Sequence, residues 1–184
     1  ANFDNFGNSV SLSGTLALIG AYQDDTGASN AGSAYLFDTT TGNLLQTFNN
    51  PSPQFSDQFG KSVSLSGTLA LIGTPADSTG ASGAGSAYLF DTTTGNLLQT
   101  FNNPSPQLSD NFGNSVSLSG TLALIGAPSD NTGATKAGSA YLYQGSEPVP
   151  QTVPEPSFTI LGAGVVLGAL PVLKKGKKTK DKDA

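Results

Sequence analysis

Three short acidic stretches recur at a spacing of 53 residues: Asp24-Asp25-Thr26-Gly27, Asp77-Ser78-Thr79-Gly80 and Asp130-Asn131-Thr132-Gly133. Carboxylates on a Gly-containing loop suggest calcium chemistry. Calcium takes six to eight oxygens, several of them from carboxylates, and each stretch supplies at most two carboxylates. Asp24, Asp77 and Asp130 are therefore weak calcium candidates. The competing reading is an Asx-turn, in which a short acidic side chain bonds its own backbone. Asp4, Asp57 and Asp110, each just before Phe-Gly, are read as turn caps, since no acid/base partner stands with them.

Other reactive groups are scarce. The 184 residues include no His, Cys, Met or Trp, and the eight basic residues are all Lys. Missing His removes the commonest acid/base group and metal ligand. Missing Cys removes disulfides and thiolate chemistry and leaves the redox compartment open. No nucleophile–base pair, metal cluster or phosphate loop is visible, so no catalytic residue and no cofactor are expected. The net charge of −5 divides unevenly. Residues 1–145 hold nine Asp and two Lys, whereas residues 174–184 hold six Lys and two Asp. An acidic body repels phosphate backbones, so a nucleic-acid partner is not expected.

The elements that must carry these residues repeat with them. Residues 1–53 and 54–106 agree at 43 of 53 positions, and a third copy follows to Tyr143. A period of this size marks a repeat architecture. Within a copy the apolar pattern has period two, the mark of half-buried strands. Val10 and Leu12 alternate with Ser9, Ser11 and Ser13, and Ser13-Gly14 reads as a tight turn. Strands are predicted at Leu16–Ile19, Ala34–Phe37 and Leu44–Phe48. Gly42 supplies the positive φ for the turn after Asp38. Asn49-Asn50-Pro51-Ser52-Pro53 ends pairing, because Pro cannot donate to a ladder. Phe6, Phe59 and Phe112 are read as packing aromatics, and Tyr35, Tyr88 and Tyr141 as core or inter-repeat residues.

Four short antiparallel strands in about fifty residues is the arithmetic of a propeller blade. The fold expected is all-β, with three four-stranded blades of a partial propeller, the last one short of a strand. Such a chain reads as a fragment of something longer, or as an open set of blades that associates between chains. The ten differences between the first two copies fall at positions 1, 2, 3, 5, 8, 21, 22, 23, 25 and 30 of the unit. All lie in predicted loops or strand starts, where change is tolerated or a partner is read.

The run from Phe112-Gly113 to Gly126-Ala127-Pro128, followed by Gly138-Ser139-Ala140-Tyr141-Leu142-Tyr143, resembles the FG-GAP repeat. That repeat is the blade of integrin-α-type β-propellers and of many bacterial surface proteins. The resemblance covers residues 4–143 and implies fold more than function. Many such blades carry a D-x-D-x-D-G calcium loop before the Gly-Ala-Pro strand. Here that place holds Ser13-Gly14-Thr15, Ser66-Gly67-Thr68 and Ser119-Gly120-Thr121, so the family's calcium residues do not carry over.

The C-terminal segment is of another kind. Pro154-Glu155-Pro156 precedes sixteen uncharged residues, Phe158 to Leu173, and then Lys174, Lys175, Lys177 and Lys178. As a helix the apolar run spans roughly 24 Å, short of the roughly 30 Å hydrocarbon core. Gly164-x-x-x-Gly168 is read as small-residue composition rather than a dimer motif. Triplet, short apolar helix and basic end resemble the PEP-CTERM sorting signal of Gram-negative and cyanobacterial exported proteins. The resemblance implies processing near Pro154-Glu155-Pro156 by an exosortase-like membrane enzyme. An ordinary C-terminal membrane anchor is the alternative.

The divisions expected are blades at 1–145 (1–53, 54–106 and 107–145), a linker with the sorting motif at 146–156, a transmembrane segment at 157–173 and a basic cytoplasmic tail at 174–184. Function follows as a non-enzymatic exported protein, anchored in the membrane and then placed at the cell surface or in the extracellular matrix. Its blades would bind surface proteins or glycans in adhesion. The alternatives are a structural matrix or sheath component that self-associates through its blades, or an accessory module of a larger enzyme.

Overall fold

The computed structural model describes residues 4–144 and 147–154, and it is all-β. Each copy of the repeat folds as one four-stranded antiparallel sheet whose strands follow chain order. The first sheet holds β1 (Ser9–Ser13), β2 (Leu16–Ala21), β3 (Ser33–Asp38) and β4 (Leu44–Asn49). The second holds β5 (Ser62–Ser66), β6 (Leu69–Thr74), β7 (Ser86–Asp91) and β8 (Leu97–Asn102). The third holds β9 (Ser115–Ser119), β10 (Leu122–Ala127), β11 (Ser139–Gln144) and β12 (Glu147–Pro154). These blade-like sheets pack in series, and the described residues do not close into a ring.

β12 corrects the expectation of a linker at 146–156 and of a third unit short of a strand. Glu147–Pro154 pairs antiparallel with β11, with Ala140 opposite Val153 and Ser139 opposite Pro154. Val153 thus takes the register position of Phe48 in the first sheet and Phe101 in the second. Proline within the strand argued against it, but Pro is tolerated on an edge, where only one side of the backbone must pair. The expected transmembrane segment 157–173, the tail 174–184, Glu155, Pro156 and the lysines of the basic stop lie outside the described residues. Among the described residues no helix is long and apolar enough to cross a membrane.

Because side chains alternate across a strand, every sheet has two faces. One bears Phe59, Val63, Leu65, Ala70, Ile72, Tyr88 and Phe90 in the second sheet. It packs on Leu18, Ala34, Leu36 and Phe48, which line the opposite face of the first sheet. The same contact recurs one repeat later, where Phe112, Leu118, Ile125, Tyr141 and Tyr143 meet Leu71, Ala87 and Phe101. Phe59 and Phe112 are fully buried, and each such ring stabilises by about 1.5–3 kcal/mol. Phe6, expected to be a packing aromatic like its copies, is 55% exposed because no sheet precedes it among the described residues. Across the two interfaces Phe48 meets Phe90 and Phe101 meets Tyr143, with centroids 5.0 and 4.7 Å apart.

Polar groups bind the sheets as well. The N–H groups of Val63, Leu65 and Gly67 donate to the hydroxyls of Ser9, Ser11 and Ser13 at 3.0, 2.9 and 3.1 Å. Leu118 and Gly120 donate likewise to Ser64 and Ser66, both at 2.9 Å. At the other side of the strands Phe59 N–H donates to the carbonyl of Ala31, and Phe112 N–H to that of Ala84. The backbones approach so closely that a Cβ on Gly20 would lie 2.0 Å from the Gly60 carbonyl, and one on Gly73 2.0 Å from that of Gly113.

Gly73 and Gly126 hold the same place in successive repeats, and among the described residues only Gly73 faces a following sheet. A Cβ on Gly126 would meet the Ser115 hydroxyl at 2.4 Å, a side chain free to turn away. Gly73→Ala is expected to cost at least the 1–3 kcal/mol typical of overpacking, and Gly126→Ala distinctly less. Denaturant midpoints of the two variants, measured in protein dilute enough to be monomeric, test this, and equal losses would refute the glycine-set spacing.

Candidate functional site

Asp24, Asp77 and Asp130 stand at the start of the loops that join the second and third strands of their sheets. In each, Oδ1 accepts from the N–H two residues on: Thr26 at 2.8 Å, Thr79 at 2.7 Å and Thr132 at 2.6 Å. This is an Asx-turn. The second oxygen accepts from a tyrosine hydroxyl, Tyr35 at 2.7 Å, Tyr88 at 3.0 Å and Tyr141 for Asp130. The backbone carbonyl of each Asp takes the N–H of Gly32, Gly85 or Gly138 at 2.9 Å and closes the loop. Both carboxylate oxygens are thus committed to folding the loop. Among the described residues no three metal-binding side chains gather, so the donors present do not fit a calcium site.

Burial pushes the Asp24 and Asp130 carboxyls up, but the hydrogen bonds from the threonine and tyrosine outweigh it and hold both below the usual range. The partner phenols move the other way. Burial, with the Asp24 bond and charge, raises Tyr35 from 10.0 to about 12. Burial and the adjoining aspartate also raise Tyr88 and Tyr141.

Asp57 and Asp110 are buried turn caps. Their Oδ2 atoms accept from Asn50 and Asn103 side chains at 2.8 Å and from the N–H of Gln54 and Gln107 at 2.7 Å. Burial raises the Asp57 carboxyl, and the nearby Asp77 charge adds to that. The buried Asp110 Oδ1 has no partner among the described residues.

The variable positions come together. Strand order places the start of β1, the end of β2, the start of β3 and the end of β4 at one end of the sheet. In the second copy all ten differing positions, residues 54–56, 58, 61, 74–76, 78 and 83, lie at that end, and the hairpins at Gly67 and Gly95, identical in the first two copies, lie at the other. There the Lys61 ammonium sits 3.8 Å from the Tyr22 ring centroid, across the first two sheets. The Asn5 amide donates to the Tyr22 hydroxyl at 3.1 Å and also to Gln23. Positions 25 and 30 form a matched pair in every copy. Asp25, Ser78 and Asn131 accept from the N–H of Asn30, Gly83 and Lys136 at 2.9, 3.3 and 2.8 Å. Phe55 and Leu108, at position 2 of their copies, are 77% and 71% exposed. This convergence was not evident from sequence, because it depends on strand order. Its signal was the confinement of differences to two short windows.

A cleft of about 510 Å³ opens between the second and third sheets, lined by Leu69, Leu89, Leu98, Phe101, Leu118 and Tyr143. It is the unfilled margin of the second interface. Of the sorting motif, only Pro154 falls within the described residues, at the end of β12.

Sheets of consecutive strands, joined through Phe-Gly turns and stacked face to face, define an all-β protein of blade-like repeats. A family model described as the FG-GAP repeat matches residues 1–37, 53–90 and 106–143, more than half of the chain. The chain belongs to the FG-GAP repeat family. No curated protein matches it. Among solved structures, the crystal structure of the computationally designed Ika8 protein is similar at 13% identity and TM-score 0.47. That match covers 74% of this chain and 32% of the designed one.

The Asp–Tyr pairs set an alkaline limit. A phenol whose folded pKa is raised contributes stability in full below the ordinary value of 10.0 and loses it as pH rises toward about 12 for Tyr35. Thermal stability is expected to fall over that window, and phenolate absorbance to lag behind that of the unfolded chain. Tyr88→Phe should cost about 1–3 kcal/mol by removing a donor from buried Asp77. A variant as stable as the parent would show the pair to be incidental.

Proposed function

We propose that this is a non-enzymatic, exported protein whose blades display the variable end of the sheets for contact with surface proteins or glycans. The observation that carries the reading is the convergence of all ten differing positions on that end, while the opposite hairpins are identical in the first two copies. The hairpins at the opposite end are surface turns as well, yet they do not differ between the first two copies. The chemistry there suits recognition. Amide and hydroxyl groups surround a tyrosine ring already stacked by Lys61, and aromatic and cationic groups anchor most protein contacts. Exposed Phe55 and Leu108 add apolar tips.

Export rests on the likeness of residues 153–178 to a PEP-CTERM signal. An exosortase-like enzyme would act near Pro154-Glu155-Pro156, with the Lys174–Lys178 block held on the cytoplasmic side by the positive-inside rule. Cleavage just after β12 would leave the third sheet its fourth strand.

The mass of the native protein in membrane and extracellular fractions tests delivery. A released form ending near Glu155 is expected, and a membrane form that keeps the lysines would make the segment a plain anchor. A glycan array and surface-protein capture test recognition. Tyr22→Ala or Phe55→Ala should weaken any capture about tenfold or more, as loss of a contact worth over 1 kcal/mol does, and Thr40→Ala at the hairpin end should not. Equal effects at both ends would remove the proposed surface.

A further inference from the structure

We propose that the open face of the first sheet accepts the open face of the third sheet of a second copy of this chain. The new contact would repeat the interface that the chain already makes twice within itself. This inference is independent of the export and recognition reading.

The first observation is exposure at matched positions. Phe6, Val10 and Leu12 are 55%, 66% and 71% exposed, whereas Phe59, Val63 and Leu65 are 0%, 6% and 6% exposed. On the third sheet Leu124 is 42% exposed, whereas Leu18 and Leu71 are 0% exposed. Leu122, at 39%, matches the half-buried Leu16 and Leu69. The residue types are those that meet one another at both internal interfaces, except that Val153 stands in the register of Phe48 and Phe101.

The second observation is that the first face is already arranged. Phe6 lies 5.7 Å from Tyr35 and 6.2 Å from Phe37. In the buried copy Phe59 lies 5.8 Å from Tyr88 and 6.0 Å from Phe90. A surface held in its bound arrangement loses little freedom on association.

The third is polar register. Ser117 and Ser119 are exposed copies of Ser11 and Ser13, which accept from Leu65 and Gly67 N–H. Leu12 and Gly14 hold the donor positions at the other end of the series. Thr135, Lys136 and Ala137 likewise repeat Ser29, Asn30 and Ala31, whose carbonyls accept from the next sheet.

The two faces differ, so the contact is head-to-tail. Such a contact either closes into a ring or grows without limit. Light scattering on the 184-residue chain across a concentration series is expected to show either a discrete assembly or a growing series. Leu12→Lys spoils only the first face and Leu124→Lys only the second. Each variant alone should be monomeric with an unchanged melting curve, because both leucines are exposed in the single chain. Mixed in equal amounts, they should form one dimer and nothing larger, since each contributes the face that the other lacks. A monomeric parent chain overturns the proposal, as does a mixture that stays monomeric. Association through the apolar C-terminal run would persist in both variants and would overturn it too.

Discussion

The structure depends on sheets meeting main chain to main chain. Glycines at Gly20 and Gly73 let the following Phe-Gly turn press against them, and Gly60 and Gly113 there take φ near +87°, where side chains are strained. Once that spacing is set, the rest is constrained. Serine hydroxyls reach the next sheet's N–H groups on one side, and loop carbonyls receive the Phe59 and Phe112 N–H groups on the other. Between these two polar seams remains a slot that an aromatic ring fills. The Phe-Gly pair is thus a ring for the slot and a backbone joint beside it.

The acidic loops serve this joint. Asp24, Asp77 and Asp130 each fold the loop with one oxygen and fix a tyrosine with the other. Those tyrosines stand on the face that carries the Phe-Gly ring. Loop shape and interface packing are therefore one unit, while variable positions 22, 23, 25 and 30 of the unit ride on the same loops. The arrangement allows exposed residues to change without disturbing the contact beneath.

Much of this was legible in the residues. Period-two alternation located the first eleven strands to within a residue or two, because their apolar positions face a core and their ends carry Gly, Asn or Pro. The Asx-turn was foreseeable from Asp followed by Thr-Gly. β12 was not, since its prolines mimic a linker and its text shares only Gln151-Thr152 with the Gln-Thr of β4 and β8, a pair that falls at the same register in all three sheets. In the sequence the serines read only as the alternating partners of Val10 and Leu12, although their strict recurrence in all three copies was a signal of the clamp they form. Phe6 packs on Tyr35 and Phe37 as its copies do on theirs, yet stays 55% exposed, because a repeat pattern sets the contacts within a sheet and burial depends also on a neighbouring one.

Near-identity has a further cost that the strand order offsets. The strands Leu16–Ala21 and Leu69–Thr74 differ only in their last residue, so side chains alone hardly tell β2 to choose β3 over β7. Connectivity decides. Pairing with β3 closes a loop of residues 22–32, whereas pairing with β7 would close one of residues 22–85. That longer loop costs about 1.5 kcal/mol more chain entropy, and it forms later. A polymer of nearly indistinguishable modules thus finds its own partners by nearness along the chain, and folding fidelity here is a matter of timing as much as of fit.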